Sequence, residues 1–238
     1  MISTQHIRVL KNQMDEKLTK LLTCVVEEVI KTGEPVGSQG LVDAHIFNVS
    51  SATIRNWFSV LENDGYIMQP HTSGGRLPTE KGYQYYVSSL MLPRILPKKQ
   101  YAILEQLVGE HVDPERRLKV LMKNVAEGVQ VAAILGLNDA DTFYTGLSQL
   151  FSQSEFRDWK RVVGLGEILD QLDQVLARIR LKKFHEPTVL LGSQCPFGAM
   201  CGTVLLTLQD GGLAGIVGPM RMDYQSAISY LQAIKELT

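Results

Sequence analysis

Cysteine is scarce in this chain: three residues in 238, at Cys24, Cys195 and Cys201. An odd number in a chain too long to need cross-links excludes a disulfide framework and predicts reduced thiols. Cys195 and Cys201 are loosely spaced, with no second cysteine pair and no histidine beside them, so no metal and no cofactor are expected. An excess of one charge is also missing. There are 24 Lys and Arg against 25 Asp and Glu, a formal net charge of -1. A whole-chain attraction to polyanions is thereby excluded, and any anion must be held by local arrangement. The longest apolar run, Gly202 to Val217, is broken by Gln209-Asp210-Gly211-Gly212 and is unable to cross a bilayer. The first 20 residues are polar and mixed in charge, unlike a signal peptide or an anchor, so a cytoplasmic location is expected. The five histidines, His6, His45, His71, His111 and His185, stand in unlike contexts. No Ser/His/Asp or Cys/His set can be singled out, and no glycine loop suits a phosphate, so the chain is not expected to be an enzyme.

What is present is an ordinary globular composition, 45% apolar and 21% charged, with length enough to bury a core. Leu18, Leu21, Leu22, Val25, Val29 and Ile30 recur at helical spacing between Asp15 and Lys31, and Gly33 and Pro35 stop that helix. A short second helix is expected from Ser38, read as its cap, to Ile46. A third is expected from Ser50 or Ser51, with Val49 and Ile54 placed as a hydrophobic staple and Ile54, Trp57 and Leu61 as the buried stripe. Asn63-Asp64-Gly65 ends it, Gly65 suiting the left-handed cap. Tyr66 to Gln69 and Arg76-Leu77-Pro78 read as a strand pair around a polar loop, and Thr79 as the cap of a helix to Leu90. Pro93, Pro97 and Lys98-Lys99 read as a linker. The expected domains are 1–92, a linker over 93–100, and 101–238.

In the second half a weak helix is expected around Tyr101 to Val108. Asp113-Pro114 signals the start of a long helix, read as reaching residue 136, with Leu118, Leu121, Met122, Val125 and Val129 as its stripe. Thr142 to Phe151 reads as strand or extended chain. A helix is expected from Gly166 to Lys183, then strands at Thr188–Leu191, Gly202–Leu208 and Leu213–Val217, the last two joined by a hairpin at Asp210-Gly211-Gly212. Asp223 begins a final helix with Ile228, Leu231 and Ile234 facing in. Together these define an α+β class with an antiparallel sheet.

Read as a helix-turn-helix, the first domain places the amino-terminal end of its third helix against base edges. Ser51, Thr53, Arg55, Asn56 and Ser59 face outward there. Arginine can pair with guanine and asparagine with adenine through two hydrogen bonds. Ser38, Gln39 and Ser50 complete the set at the helix starts, where hydroxyls and free amides suit phosphate. The strand pair becomes a wing whose tip, His71, Thr72, Ser73, Gly74, Gly75 and Arg76, supplies donors and a backbone that can approach closely. Against this, residues 1–90 hold eight Lys and Arg and nine Asp and Glu, a weak electrostatic footprint for a DNA-binding module. A protein-interaction module that binds no DNA therefore stands as an alternative on pattern alone. In the second domain "GPMRMDY" is the strongest motif. Gly218 and Pro219 are read as ending a strand, Asp223 as capping the last helix before Tyr224, and Arg221 as pairing with a carboxylate; a structural role is preferred there to an effector site.

The stretches "GEPVGSQGL", "VSSATIRNWFSVLENDGYIMQPHTSGGRLPTEKGYQYYV", "GLSQLFSQSEFRD" and "GIVGPMRMDYQSAI" resemble, in order, signature blocks of the heat-inducible transcription repressor HrcA family. The resemblance covers most of residues 15–90 and returns over 146–160 and 187–235. It implies a winged helix-turn-helix domain followed by a GAF-like regulatory and dimerisation domain. It also implies repression of heat-shock and chaperone genes by a homodimer on an inverted-repeat operator in double-stranded DNA, with the chaperonin GroEL as a positive partner. The family's extra dimerising region, inserted in the GAF-like domain, has no counterpart here, since the helix expected to reach residue 136 is followed almost at once by Gly146. The expected domain is thus a reduced form lacking part of its sheet. A repressor of the same fold answering to a small molecule in the second domain is the other alternative.

Overall fold

In the computed structural model the described residues are 14–70, 74–110, 113–137, 141–157 and 172–238, with Val163, Gly166 and Asp170. They divide into two compact units, one ending at Leu92 and one beginning at Pro93.

The first unit opens with α1, Glu16–Thr32, capped by Asp15 and closed by Gly33 in the left-handed conformation. It buries Leu21, Leu22, Val25, Val26 and Val29, one stripe of a helix with 3.6 residues per turn. The next helix, α2, is Ser38–Asp43. Its cap is Gly37, with no side-chain bond, so Ser38 is the first helical residue rather than the cap. The helix stops short of Ile46 because His45 takes a positive φ of 56°. The third helix, α3, is Ser51–Asn63 with Ser50 as its cap. Its buried residues are Ile54, Phe58 and Leu61. Phe58, not Trp57, completes the stripe, because it lies one turn from Ile54 on the same row. Trp57 sits at the edge, half-buried, and meets the Phe47 ring edge-on at 5.8 Å.

Gly65 takes φ 74° after α3 and lets Tyr66 bond back to Leu61. Two short strands follow, β1 at Ile67–Met68 and β2 at Leu77–Pro78, antiparallel with Ile67 opposite Pro78. Val36 adds a single bridge to Arg76 beside them. Thr79 caps α4, Glu80–Tyr85, which runs on as a π-turn over Tyr86–Leu90.

In the second unit α5 is Lys98–Glu110 and begins inside the span expected to be linker. Residues just before it are anchored too: Leu96 is buried, and Arg94 pairs with Asp223 at 3.4 Å. Alternating proline and charge made this stretch look unstructured. The next helix, α6, is Pro114–Val129, with Asp113 as cap and Gln130 left-handed at its end. It does not reach 136. Residues Ala132–Gly136 form strand β3, buried throughout. A continuous apolar run carries no period that separates buried helix from buried strand, and the left-handed Gln130 is the break the sequence hid. Thr142–Thr145 is β4 and Leu147–Ser152 is helix α7, followed by a 3-10 turn at Ser154–Arg157. Helix α8 is described over Leu172–Arg180 and buries Leu172, Val175, Leu176 and Ile179. The earlier part of the helix expected from Gly166, with Ile168 and Leu169, lies outside the described residues.

Strands β5 Thr188–Leu191, β6 Cys201–Thr207 and β7 Leu213–Pro219 complete one five-stranded sheet of order β4-β3-β7-β6-β5, antiparallel at every pairing. Strand β7 ends at Pro219, so Gly218 and Pro219 are its last two residues, still paired in the sheet. Helix α9, Tyr224–Leu237, follows the Asp223 cap and buries Ala227, Tyr230, Leu231, Ala233 and Ile234; Ile228 is only half-buried. One sheet face, carrying Ile134, Cys201, Leu205, Leu213 and Val217, packs on Leu150, Phe156, Leu172, Leu176 and Ile179. The alternate residues Leu135, Val204, Leu206 and Ile216 are buried on the opposite face, so helices cover both sides. The architecture is α+β with antiparallel sheets.

Cys195 and Cys201 lie in that core, 7% and 3% exposed. Burial pushes the Cys195 thiol up to about 12 and Cys201 up to about 11. The folded state thus favours the protonated thiols. Its advantage is complete below pH ~9 and is lost as pH rises toward about 11 to 12. Two outcomes are expected: the second unit loses stability above pH ~9, and iodoacetamide at neutral pH labels both thiols only after denaturation. Mass spectrometry of pulse-labelled chain checks the second, and rapid native labelling of Cys195 would contradict it.

Candidate nucleic-acid interface

The amino-terminal end of α3 is built by its cap. Ser50 Oγ accepts from the Thr53 amide at 3.2 Å and lies 3.0 Å from Thr53 Oγ1. This satisfies one of the helix's open amides and leaves the others at the start exposed to a ligand. No acidic residue lies in the first turn, so the positive end of the helix dipole is uncompensated there. Arg55, Asn56 and Ser59 are exposed, while Ser51 and Thr53 are half-buried. Arg55 Nη2 donates to Ser51 Oγ at 3.3 Å, and Ser59 Oγ donates to the Arg55 carbonyl at 3.1 Å. The guanidinium is thus steered toward the cap rather than left to sweep the surface. At the other end of α3, Glu62 and Asp64 bring negative charge. The helix presents a cation and open amides at one end and acid at the other, an orientation that favours phosphate at the start of α3.

The other expected contacts divide. Ser38 is half-buried in the first turn of α2, and exposed Gln39 donates to Asp43 Oδ1 at 2.8 Å within its own helix. Arg76 does not project. Its guanidinium donates to Glu62 Oε2 at 3.1 and 3.2 Å, with only 17% of the side chain exposed, and lies 5.8 Å over the Phe58 ring. It ties the base of the strand pair to the carboxyl end of α3, a holding role. Its backbone is engaged as well, exchanging N–H···O bonds of 2.9 Å in both directions with Val36. Gly75 allows this: a Cβ there would stand 2.5 Å from the Val36 carbonyl carbon and oxygen. The close approach expected of this glycine is therefore to the protein's own backbone. Gly74 is half-buried, its carbonyl 3.5 Å from Gln69 Nε2. His71, Thr72 and Ser73 lie outside the described residues.

Two lysines that residue pattern did not single out support the same frame. Lys20 Nζ donates to the Ile46 carbonyl at 3.0 Å and sits 5.0 Å over Phe47. Lys81 Nζ donates to the Asp64 carbonyl at 2.6 Å, at the end of α3, and sits 4.3 Å over Tyr66. A cation at a helix carboxyl end complements the dipole, so Lys81 fixes the end of α3, while Lys20 holds the turn that follows α2. The only sequence hint was an aromatic close to the residue each lysine caps.

In the second unit the motif of residues 218–224 is a corner. Arg221 donates to Glu155 at 2.5 and 3.1 Å and to Gln153 Oε1 at 2.9 Å. Asp223 accepts from the Ser226 amide at 3.0 Å, and Tyr224, buried, donates its hydroxyl to the Met220 carbonyl at 2.8 Å. Two of the sequence blocks singled out above thus meet through one ion pair. Among the described residues no cluster of His, Cys, Asp and Glu suits a metal, and no helix is long and apolar enough to cross a membrane.

A family model described as the HrcA protein C-terminal domain matches residues 88–228. A heat-inducible transcription repressor HrcA from Mycobacterium leprae is 40% identical over 215 residues, covering 86% of this chain and 62% of that relative. Another, from Acidothermus cellulolyticus, is 37% identical over 122 residues, 51% of this chain and 36% of the relative. The chain belongs to the HrcA family. It spans less than two thirds of the length of these relatives. A crystal structure described only as a hypothetical protein shares the fold, with TM-score 0.74 at 17% identity over 96% of this chain and 98% of that one.

Proposed function

We propose that this chain is a DNA-binding transcription repressor of heat-shock genes, with a winged helix-turn-helix first unit and a GAF-like second unit. The relatives' name, heat-inducible transcription repressor, supports the class. The observation that carries the assignment to DNA is the start of α3, where Ser50 caps the helix, Arg55 is steered beside the cap, and Asn56 and Ser59 lie exposed with no acid in the first turn. In this reading α3 enters the major groove of double-stranded DNA and the strand pair follows as the wing. Two copies occupy an inverted repeat and block transcription; heat ends the block, and the chaperonin GroEL supports the active form. The first unit's small cation count limits what one copy contributes through phosphates, which favours a homodimer; a repressor of this kind acts in the cytoplasm.

Arg55→Ala is expected to cost about 1–3 kcal/mol of specific binding if Arg55 reads a base. The measurement is a gel-shift titration on an operator recovered from random duplex, beside random DNA. An equal loss on both would make Arg55 a phosphate contact. Failure to enrich any inverted repeat from random duplex would sink the repressor reading.

A further inference from the structure

A cleft of about 390 Å³ in the second unit has no part in the reading above. Arg180 at the end of α8, Lys183, His185 and Lys235 of α9 line it, with Thr207 and Gln209. No Asp or Glu lines it. Arg180, Lys183 and Lys235 bring three cations together in a chain whose formal net charge is -1. The fold builds the arrangement from three elements. Phe184 is buried and tied to Thr207 by two bonds of 2.8 Å, one from the Phe184 amide to Thr207 Oγ1 and one from the Thr207 amide to the Phe184 carbonyl. That anchor fixes the backbone between Lys183 and His185. Arg180 Nη2 donates to the Leu137 carbonyl at 2.9 Å, which pins the guanidinium at the cleft wall. Lys235 reaches the cleft from α9 and pairs with Glu186 at 2.5 Å; that glutamate is 69% exposed, so a stronger anion can replace it at small cost. Two other acids adjoin lining residues in sequence: Asp210 is turned to the Gly212 amide at 2.9 Å, and exposed Glu236 accepts from Gln232 Nε2 at 3.4 Å.

We propose that this cleft binds a small molecule bearing two or more linked phosphates. Its volume lies within the range of small-ligand sites, about 300–1,000 Å³. The two lysines supply point charges for phosphate oxygens, and Arg180, held by backbone carbonyls, adds positive charge to the wall; cations brought from three elements suit linked phosphates better than one compact ion. A concave pocket suits a small ligand, whereas a nucleic-acid strand needs an open track. The proposal stands independently of DNA binding by the first unit.

The test is thermal unfolding of the full chain with pyrophosphate, the ionic strength held constant with potassium chloride. A saturable rise in melting temperature is expected at millimolar pyrophosphate. Lys183→Gln and His185→Gln change exposed side chains, so both variants are expected to fold. Each is expected to weaken the apparent affinity by roughly tenfold, the loss of one charge-assisted contact. Lys17→Gln, an exposed lysine of the first unit, is expected to leave it unchanged. The proposal is overturned if pyrophosphate gives no rise beyond the chloride control, if the concentration giving half the rise is unchanged in Lys183→Gln, or if Lys17→Gln shifts it equally. Displacement of pyrophosphate by short random duplex DNA from wild type but not from Lys183→Gln would also overturn it, making the cleft a nucleic-acid track.

Discussion

Gly75→Ala is expected to destabilise the first unit by about 2–4 kcal/mol, through loss of two backbone hydrogen bonds and a forced backbone shift. The new Cβ would stand 2.5 Å from both the carbonyl carbon and oxygen of Val36 and 2.8 Å from its nitrogen. Those atoms are backbone, so they cannot swing aside as a side-chain tip would. The Val36–Arg76 bridge, with bonds of 2.9 Å each way, has to open. Opening it frees the base of the strand pair from the segment between α1 and α2, and disturbs the Arg76–Glu62 clamp at 3.1 Å. In the repressor reading operator affinity falls together with stability, because Arg76 no longer holds the wing to the carboxyl end of α3. Gly40→Ala is the control. A Cβ at Gly40 meets nothing within 4 Å, and removing a helical glycine stabilises by about 0.5–1 kcal/mol. Thermal melts of the two variants, followed by circular dichroism, should move in opposite directions. A Gly75→Ala melt equal to wild type would show that the bridge contributes nothing.

Much of this was legible in the residues, and the misses share a cause. Ser50, Thr79, Asp113 and Asp223 cap helices as their side chains suggest, because capping is decided within three or four residues. The turn at Asp210-Gly211-Gly212 is equally local, and it joins β6 to β7. Strand β3 was hidden because Val131 to Leu135 is apolar at every position, and burial on both faces erases any period. A polar tip with an arginine reads as a reaching loop, whereas Arg76 turns back to Glu62. Its carboxylate partner is 14 residues away in the last turn of α3, and no spacing rule connects a strand end to a helix across that distance. Arg55 and Asn56 could be placed on the exposed side because the apolar stripe of α3 fixes its opposite face.

Arg221→Met is expected to lower the stability of the second unit by about 1.5–3 kcal/mol, less than the 3–5 of a fully buried pair because water reaches part of this one. Methionine keeps much of the length and removes the charge. The side chains of Arg221 and Glu155 are 15% and 24% exposed, so the carboxylate left behind is only partly rehydrated and Gln153 Oε1 loses its donor as well. The two ends of this contact lie 66 residues apart in sequence, one beside the Asp223 cap of α9 and the other in the 3-10 turn after α7. Breaking it therefore loosens the return of the chain from β7 into α9, which carries the buried Leu231 and Ile234. A fall in melting temperature of about 4–10 °C is expected for a unit of this size. Glu155→Gln is expected to cost less, since an amide oxygen still accepts from the guanidinium without its charge. A double-mutant cycle with Arg221→Met and Glu155→Gln separates pairing from packing. If the two losses simply add, the corner is held by the buried Tyr224 and the Asp223 cap alone. A coupling above about 1 kcal/mol assigns the two arms of the motif to one structural unit.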